Sequence, residues 1–213
     1  MERLAIFDVD FTLTSKETLV QFYKFMIKKN PKFIVYIPRA IFSGLTYILK
    51  INDEKRTKEI FIRFIRGIKE EDMEATVKEF YNEVLSKIIY SDSINMIKKL
   101  KKEGCKIILI SASPEFYLNS LYNIKEVDKI IGSTIRAKEG IYENRMEGEN
   151  CKGEEKIKRL MAYLKENNIE VDFKNSYMFS DSLSDLPLFN LVGNPYLINY
   201  RKKHESIEIL NWK

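Results

Sequence analysis

Leu4-Ala5-Ile6-Phe7-Asp8-Val9-Asp10-Phe11-Thr12-Leu13-Thr14 is the stretch whose reading decides the fold. Leu4 to Val9 reads as a buried strand, and a second apolar run, Lys106-Ile-Ile-Leu-Ile110, follows about a hundred residues later. Both runs end in small or acidic residues. As residues i and i+2, Asp8 and Asp10 share a face if the strand continues, and if Asp10 has already left the strand a turn can still bring both carboxylates to one pocket. Turn capping is the plainer reading of two such acids taken alone.

Between the two strands the hydrophobic period becomes helical. Residues 17 to 29, 34 to 49, 53 to 65 and 70 to 87 each carry apolar positions on one helix face, as in Leu19, Phe22, Phe25 and Met26. After them come a helix over Ser93 to Glu103 stopped by Gly104, a strand ending at Ser111 and a helix from Pro114 onward. Ile130 to Arg136 and Gly140 to Met146 read as short strands or a hairpin, and Glu154 to Asn167 as a helix. Asn175 to Phe179, Leu191 to Val192 and Leu197 to Ile198 supply further strands. This order predicts an α/β layered core, residues 1–14 and 91–213, with a helical cap over 15–90 inserted after the first strand. Ligands of such sheets gather beyond the carboxyl ends of the strands, where the polar strand ends would meet. Phe33 to Leu49 contains a single charge, Arg39, but falls short of the roughly 20 apolar residues of a membrane span. Cap core is the expectation for it, with weak lipid or membrane contact as the alternative.

Composition removes several function classes. The 213 residues contain one histidine, His204, so a two-histidine zinc helix is excluded and a Ser-His-Asp hydrolase is left with one C-terminal candidate. The net charge of +5 is unevenly spread: residues 15 to 66 hold 12 Lys/Arg against 4 Asp/Glu. Such an excess attracts anions, and no recognisable nucleic-acid module accompanies it, so a phosphorylated small molecule is favoured over nucleic acid. Cys105 and Cys151 lie far apart in a Lys/Glu-rich chain, and Met1-Glu2-Arg3 leads straight into the first strand without a secretory pattern. Reduced thiols and a cytoplasmic location are therefore expected. The sequence leaves the oligomeric state open.

Three further elements could join Asp8 and Asp10. Ser111-Ala112-Ser113-Pro114 follows a strand directly and could hold an oxyanion through the Ser111 hydroxyl and backbone N–H groups, Ser113 being equally readable as a helix cap. Asn150-Cys151-Lys152-Gly153-Glu154-Glu155-Lys156 places two lysines one turn apart at a helix entrance, either of which could neutralise phosphate, although most lysines are simply solvated. In Ser180-Asp181-Ser182-Leu183-Ser184-Asp185 a strand ends on an acid with another four residues on, a donor set that suits Mg²⁺.

Together these residues resemble the four motifs of the haloacid dehalogenase-like phosphohydrolases, in the family's order and over essentially the whole chain. The likeness is greatest to the phosphoserine-phosphatase-like branch of subfamily IB type. The resemblance implies a Rossmann-like parallel-sheet core with a helical C1-type cap. It implies Asp8 as the nucleophile that forms an aspartyl phosphate and Asp10 as general acid and base. Mg²⁺ would be held by Asp8, the Asp10 carbonyl and Asp181, and ordered by Asp185; Ser111 and the neighbouring backbone, with Ala112, would clamp phosphate. One pattern in the family points to Lys152 and another to Lys156, and the second is slightly favoured by Asn150-Cys151 and Ser180-Asp181. Phe11 stands where the family has glycine. Glu17 resembles the cap glutamate that reads an amino group, and Arg63 or Arg66 could pair with a carboxylate. Phosphoserine is the leading substrate on this basis, with histidinol phosphate and a lysophospholipid as alternatives. A phosphotransferase of the same superfamily and a non-enzymatic phosphoacceptor domain are the rival classes.

Overall fold

A computed structural model describes all of residues 1–213. Eight strands and eight α-helices follow the predicted order, with a few departures. Strands β1 (Arg3–Phe7), β2 (Cys105–Pro114), β3 (Val127–Ser133), β6 (Tyr177–Ser180), β7 (Asn194–Ile198) and β8 (Glu208–Leu210) form one sheet in the order 3-2-1-6-7-8. Every neighbouring pair in it is parallel. β1 lies between β2 and β6, so both of its edges are paired, and with one apolar cluster on each face Leu4 to Phe7 are wholly buried. Strands β4 (Ile135–Lys138) and β5 (Ile141–Met146) pair separately as an antiparallel flap.

The departures have local causes. Leu191 and Val192 are not a strand; the strand starts at Asn194 and carries Pro195, which pairs only on its β6 side because the β8 ladder begins at Tyr196. A proline at a strand's start removes no donor that the sheet needs. β8 went unread because its three residues are too short to show alternation. Ser113 likewise is no helix cap: it lies in β2, and the short helix α6 (Glu115–Leu118) follows Pro114 without a side-chain cap bond.

The helical insertion contains α1 (Thr18–Lys29), α2 (Ile37–Ile48), α3 (Glu54–Phe61) and α4 (Glu70–Glu83). α5 (Ser91–Lys102) leads back into β2. The two chain passages between sheet and insertion are stitched together: Thr14 bridges Ile89, Ser15 N–H donates to Ile88 at 2.7 Å and Tyr90 N–H to Leu13 at 3.0 Å. Phe22 stacks on Tyr117 at 5.3 Å and meets Phe80 edge-on at 5.1 Å, so one apolar cluster runs from the sheet face into the insertion.

The expectation of cap core for Phe33 to Leu49 is overturned. Only Ser43 and Thr46 of α2 are buried, while Ile41, Phe42, Leu45 and Ile48 face solvent. The two hydroxyls bond to backbone carbonyls of their own helix, so they need nothing from the interior. The helix packs by its small side and leaves its large apolar side uncovered. No helix of the chain is long and apolar enough to cross a membrane.

Candidate active site

The carboxyl ends of β1, β2 and β6 converge because these strands are adjacent and parallel, and each carries polar residues at or just beyond its end. After β1 the chain makes a wide helical turn over Val9–Leu13, with Thr14 N–H donating to Val9 at 3.0 Å. Phe11 occupies the left-handed region there (φ 58°, ψ 4°), where a side chain costs on the order of 1 kcal/mol. The family's glycine position thus keeps a glycine-like backbone, its phenyl ring half in solvent.

This turn carries Asp10 out of the strand and holds it on the Asp8 side. Asp8 Oδ1 accepts from Lys156 Nζ at 2.7 Å, and its Oδ2 has no protein partner. Lys156 stands in the first turn of α7 (Glu154–Glu166) and donates also to Asp185 Oδ2 at 2.7 Å. Gly153 just before it adopts a positive φ of 54°, which lets the chain turn sharply into the helix. Lys156 is 3% exposed and answers to two carboxylates, which hold its pKa above the ordinary lysine value against burial. Asp8 shares that cation with Asp185 and feels Asp10 as well, so burial and repulsion raise it to about 7.

Asp10 is fixed from two sides. Its Oδ1 accepts the Thr18 N–H at 2.6 Å, and its Oδ2 accepts the Ser113 hydroxyl at 2.7 Å and, weakly, that of Ser111 at 3.4 Å. The Ser111 Oγ in turn accepts the Ser113 N–H at 3.0 Å. The ladder from β2 to β3 is irregular between Ile110 and Pro114, where these residues turn to the site. Thr12 joins the third strand end: its hydroxyl accepts the Asp181 N–H at 2.8 Å and donates to Asp181 Oδ1 at 3.5 Å. Burial raises Asp181 to about 6.

Asp8, Asp181 and Asp185 give the site hard oxygen donors, and Asp185 Oδ1 is buried without any hydrogen-bond partner. No three ligating side chains close into a ready cage. Mg²⁺ does not require one, since it binds through one or two carboxylates, retained waters and substrate phosphate. The surplus of carboxylates and the orphaned oxygen fit such an ion.

Beside this group lies a pocket of about 410 Å³ lined by Glu17, Leu19, Val20, Tyr47, Lys58, Phe61 and Lys152 among others. Glu17 is there as expected; it caps α1 through the Val20 N–H and is raised to about 7 by burial and by Asp10. Lys152 lies on the pocket's rim, half exposed and paired with Glu54 at 3.0 Å, well apart in role from buried Lys156. Arg63 and Arg66 are not brought to this pocket. They line a second cavity, of about 510 Å³, between α3 and the β4–β5 flap. Lys58 was not foreseen: its Nζ donates to the Ala112 carbonyl and to Asn150 Oδ1, both at 2.7 Å, tying α3 to two of the motif loops. In sequence it is one lysine of a basic amphipathic helix, and only the fold over Ala112 distinguishes it. Ala112 thus offers its carbonyl to Lys58 and to Ser133.

Residues 5–190 match the family model for haloacid dehalogenase-like hydrolases. The chain is 24% identical to a histidinol-phosphatase of Neisseria meningitidis over the full length of both. It superposes on a protein of unknown function from Bordetella pertussis Tohama I with a TM-score of 0.84, at 21% identity, covering 94% of this chain and 91% of that one. A phospho-aspartyl intermediate analogue of phosphoserine phosphatase shares the fold at a TM-score of 0.64 and 16% identity, covering 93% and 87%.

Proposed function

This chain belongs to the haloacid dehalogenase-like hydrolases, and on that premise we propose that it is a Mg²⁺-assisted phosphomonoester hydrolase working through an aspartyl phosphate on Asp8. The observation that carries the reading is the buried bridge from Lys156 to both Asp8 and Asp185, beside an Asp10 held by Ser113 and Thr18. Asp8 Oδ2, free of hydrogen bonds, attacks phosphorus; the bond from phosphorus to the ester oxygen breaks, and Asp10 gives its proton to the departing alkoxide. Asp10, now a carboxylate, takes a proton from water, which attacks the acyl phosphate and restores Asp8 with release of phosphate. Lys156 and the Ser111 hydroxyl offset charge on the phosphoryl oxygens, and Lys152 stays at the rim. Mg²⁺, when held by Asp8, the Asp10 carbonyl and Asp181 with Asp185 behind them, supplies neutralisation of phosphate charge.

The alcohol part of the ester belongs in the pocket lined by Glu17 and Leu19. Phosphoserine loses the carboxylate anchor expected for it, because Arg63 and Arg66 line the other cavity, while Lys58 and Lys152 are already partnered. Histidinol phosphate has an amine for Glu17, a flat ring for Tyr47 and Phe61 and no carboxylate to place. It is our leading substrate, in keeping with the name of the Neisseria relative. A lysophospholipid is the second reading, favoured by the apolar helix that roofs the pocket. Phosphate release from phosphoserine, histidinol phosphate, sugar phosphates, nucleotides and lysophosphatidate decides. We expect the highest kcat/KM on histidinol phosphate and a selective loss there in Glu17→Gln. Efficient turnover of phosphoserine overturns the choice, and release of phosphate to water distinguishes a hydrolase from a phosphotransferase or a phosphoacceptor.

A further inference from the structure

Ten of the eighteen large apolar side chains that the protein exposes lie within residues 34–51, about α2. Ile37, Ile41, Leu45 and Ile48 recur at helical spacing along its outer face, and Ile48 is 74% exposed. A water-facing helix turns its large apolar residues inward; this one buries Ser43 and Thr46 instead. Contiguous apolar surface of this kind marks a contact. At 12 residues α2 is too short to cross a bilayer, and a helix with one broad apolar side lies in the interface plane.

The charge beside the stripe says what covers it. The 510 Å³ cavity holds six arginines and, of acids, only Glu143. Arg136 is paired with Glu143, and Arg56 and Arg145 share Glu59. Arg39, Arg63 and Arg66 have no carboxylate within ion-pair distance. Arg39 and Phe42 both enter this cavity from α2, so the cationic group borders the apolar stripe. Guanidinium groups match phosphate headgroups, and a second protein surface would have to offer hydrocarbon and acid side by side.

We propose that α2 docks this protein on the surface of an anionic phospholipid bilayer, its outer stripe among the acyl chains and the arginine cavity on the headgroup phosphates. Ala40, Ser43 and Gly44 on the inner side of the same helix line the catalytic pocket, so docking sets that pocket at the lipid surface.

Co-sedimentation of the full chain with vesicles tests this without any turnover, so its outcome is separate from that of the phosphatase reading. The protein should pellet with vesicles of equal parts phosphatidylcholine and phosphatidylglycerol, less with pure phosphatidylcholine, and less as salt rises. Ile41→Glu/Leu45→Glu/Ile48→Glu should remain in the supernatant with its circular dichroism and hydrolysis of p-nitrophenyl phosphate unchanged. Arg39→Glu should weaken pelleting on the mixed vesicles several-fold. Wild type that stays in the supernatant, or a triple variant that pellets equally, overturns the proposal. So does a dimer in light scattering that the triple variant abolishes, which would make a second copy the occupant.

Discussion

The carboxyl edge of the sheet and helix α2 each break a rule of burial, in opposite senses. The edge buries Asp8, Asp185 and Lys156, with Asp10 and Asp181 half-buried beside them; α2 exposes hydrocarbon and buries hydroxyls. At the edge each buried charge has a partner at hydrogen-bond distance, with Asp8 Oδ2 and Asp185 Oδ1 the oxygens left without one, so much of the cost of burial is offset inside the fold. On α2 nothing within the chain offsets the exposure. Unfavourable placement that is compensated locally marks chemistry, and placement that is not marks a partner.

Substitutions at the edge should have the largest effects. Asp8→Asn should remove turnover by a factor on the order of 10⁴ or more while the far-ultraviolet spectrum stays native, measured as phosphate release. Wild-type rates would end the nucleophile assignment. Lys156→Ala leaves Asp8 and Asp185 without their cation and should cost about 3–5 kcal/mol in urea unfolding along with activity. Lys152→Ala breaks a half-exposed pair and should cost about 0–1 kcal/mol. Equal losses for the two would erase the distinction between them.

The same edge and the neighbouring Glu17 should make the stability of the metal-free protein depend on pH. Asp8, Asp181 and Glu17 are raised above their ordinary values, to about 7, 6 and 7. The folded state therefore binds more protons than the unfolded one between roughly pH 4 and 7, and stability falls as pH rises through that window. Melting curves of the metal-free protein from pH 5 to pH 8 check the slope; stability that rises over this range would mean that burial does not control these acids.

Within the helical insertion the contrast is between partnered and unpartnered apolar groups. Phe22→Ala empties a fully buried site among Phe64, Phe80 and Tyr117 and should cost about 3–5 kcal/mol. Ile41→Glu on α2 should change stability by no more than about 0.5 kcal/mol. The smallest effect is expected of Phe11→Gly, where relief of the left-handed backbone, about 1 kcal/mol, is opposed by the greater freedom of glycine in the unfolded chain. Its midpoint in urea should move little in either direction.

The sheet edge was the legible part of the sequence. A continuous apolar run that stops at Asp8, Ser111 or Asp181 says both that the strand is buried and that its end is polar, and the parallel order then brings those ends together. Lys156 was separable from Lys152 only weakly, by neighbouring motif residues, because one helical turn apart both face nearly the same way. Lys58 and the pairing of Ser113 with Asp10 were invisible, since each depends on which segment the fold lays across β2. α2 misled for a different reason. Periodicity reports that a helix has an apolar side, but whether the protein supplies something to cover that side is a property of the assembled fold. Arg63 and Arg66 were likewise correctly basic and misplaced.

The stitched passages at Thr14 and Ile89 bear on how the chain folds. β1 must find β2 across a hundred residues and β6 across many more, separations that slow folding. Once the insertion has its own structure and its two ends are joined, the segment still to be closed between Phe7 and Cys105 is only the short stretch on either side of that seam, together with α5. Joining the ends of the insertion thus lowers the loop-closure entropy cost of bringing the two central strands together.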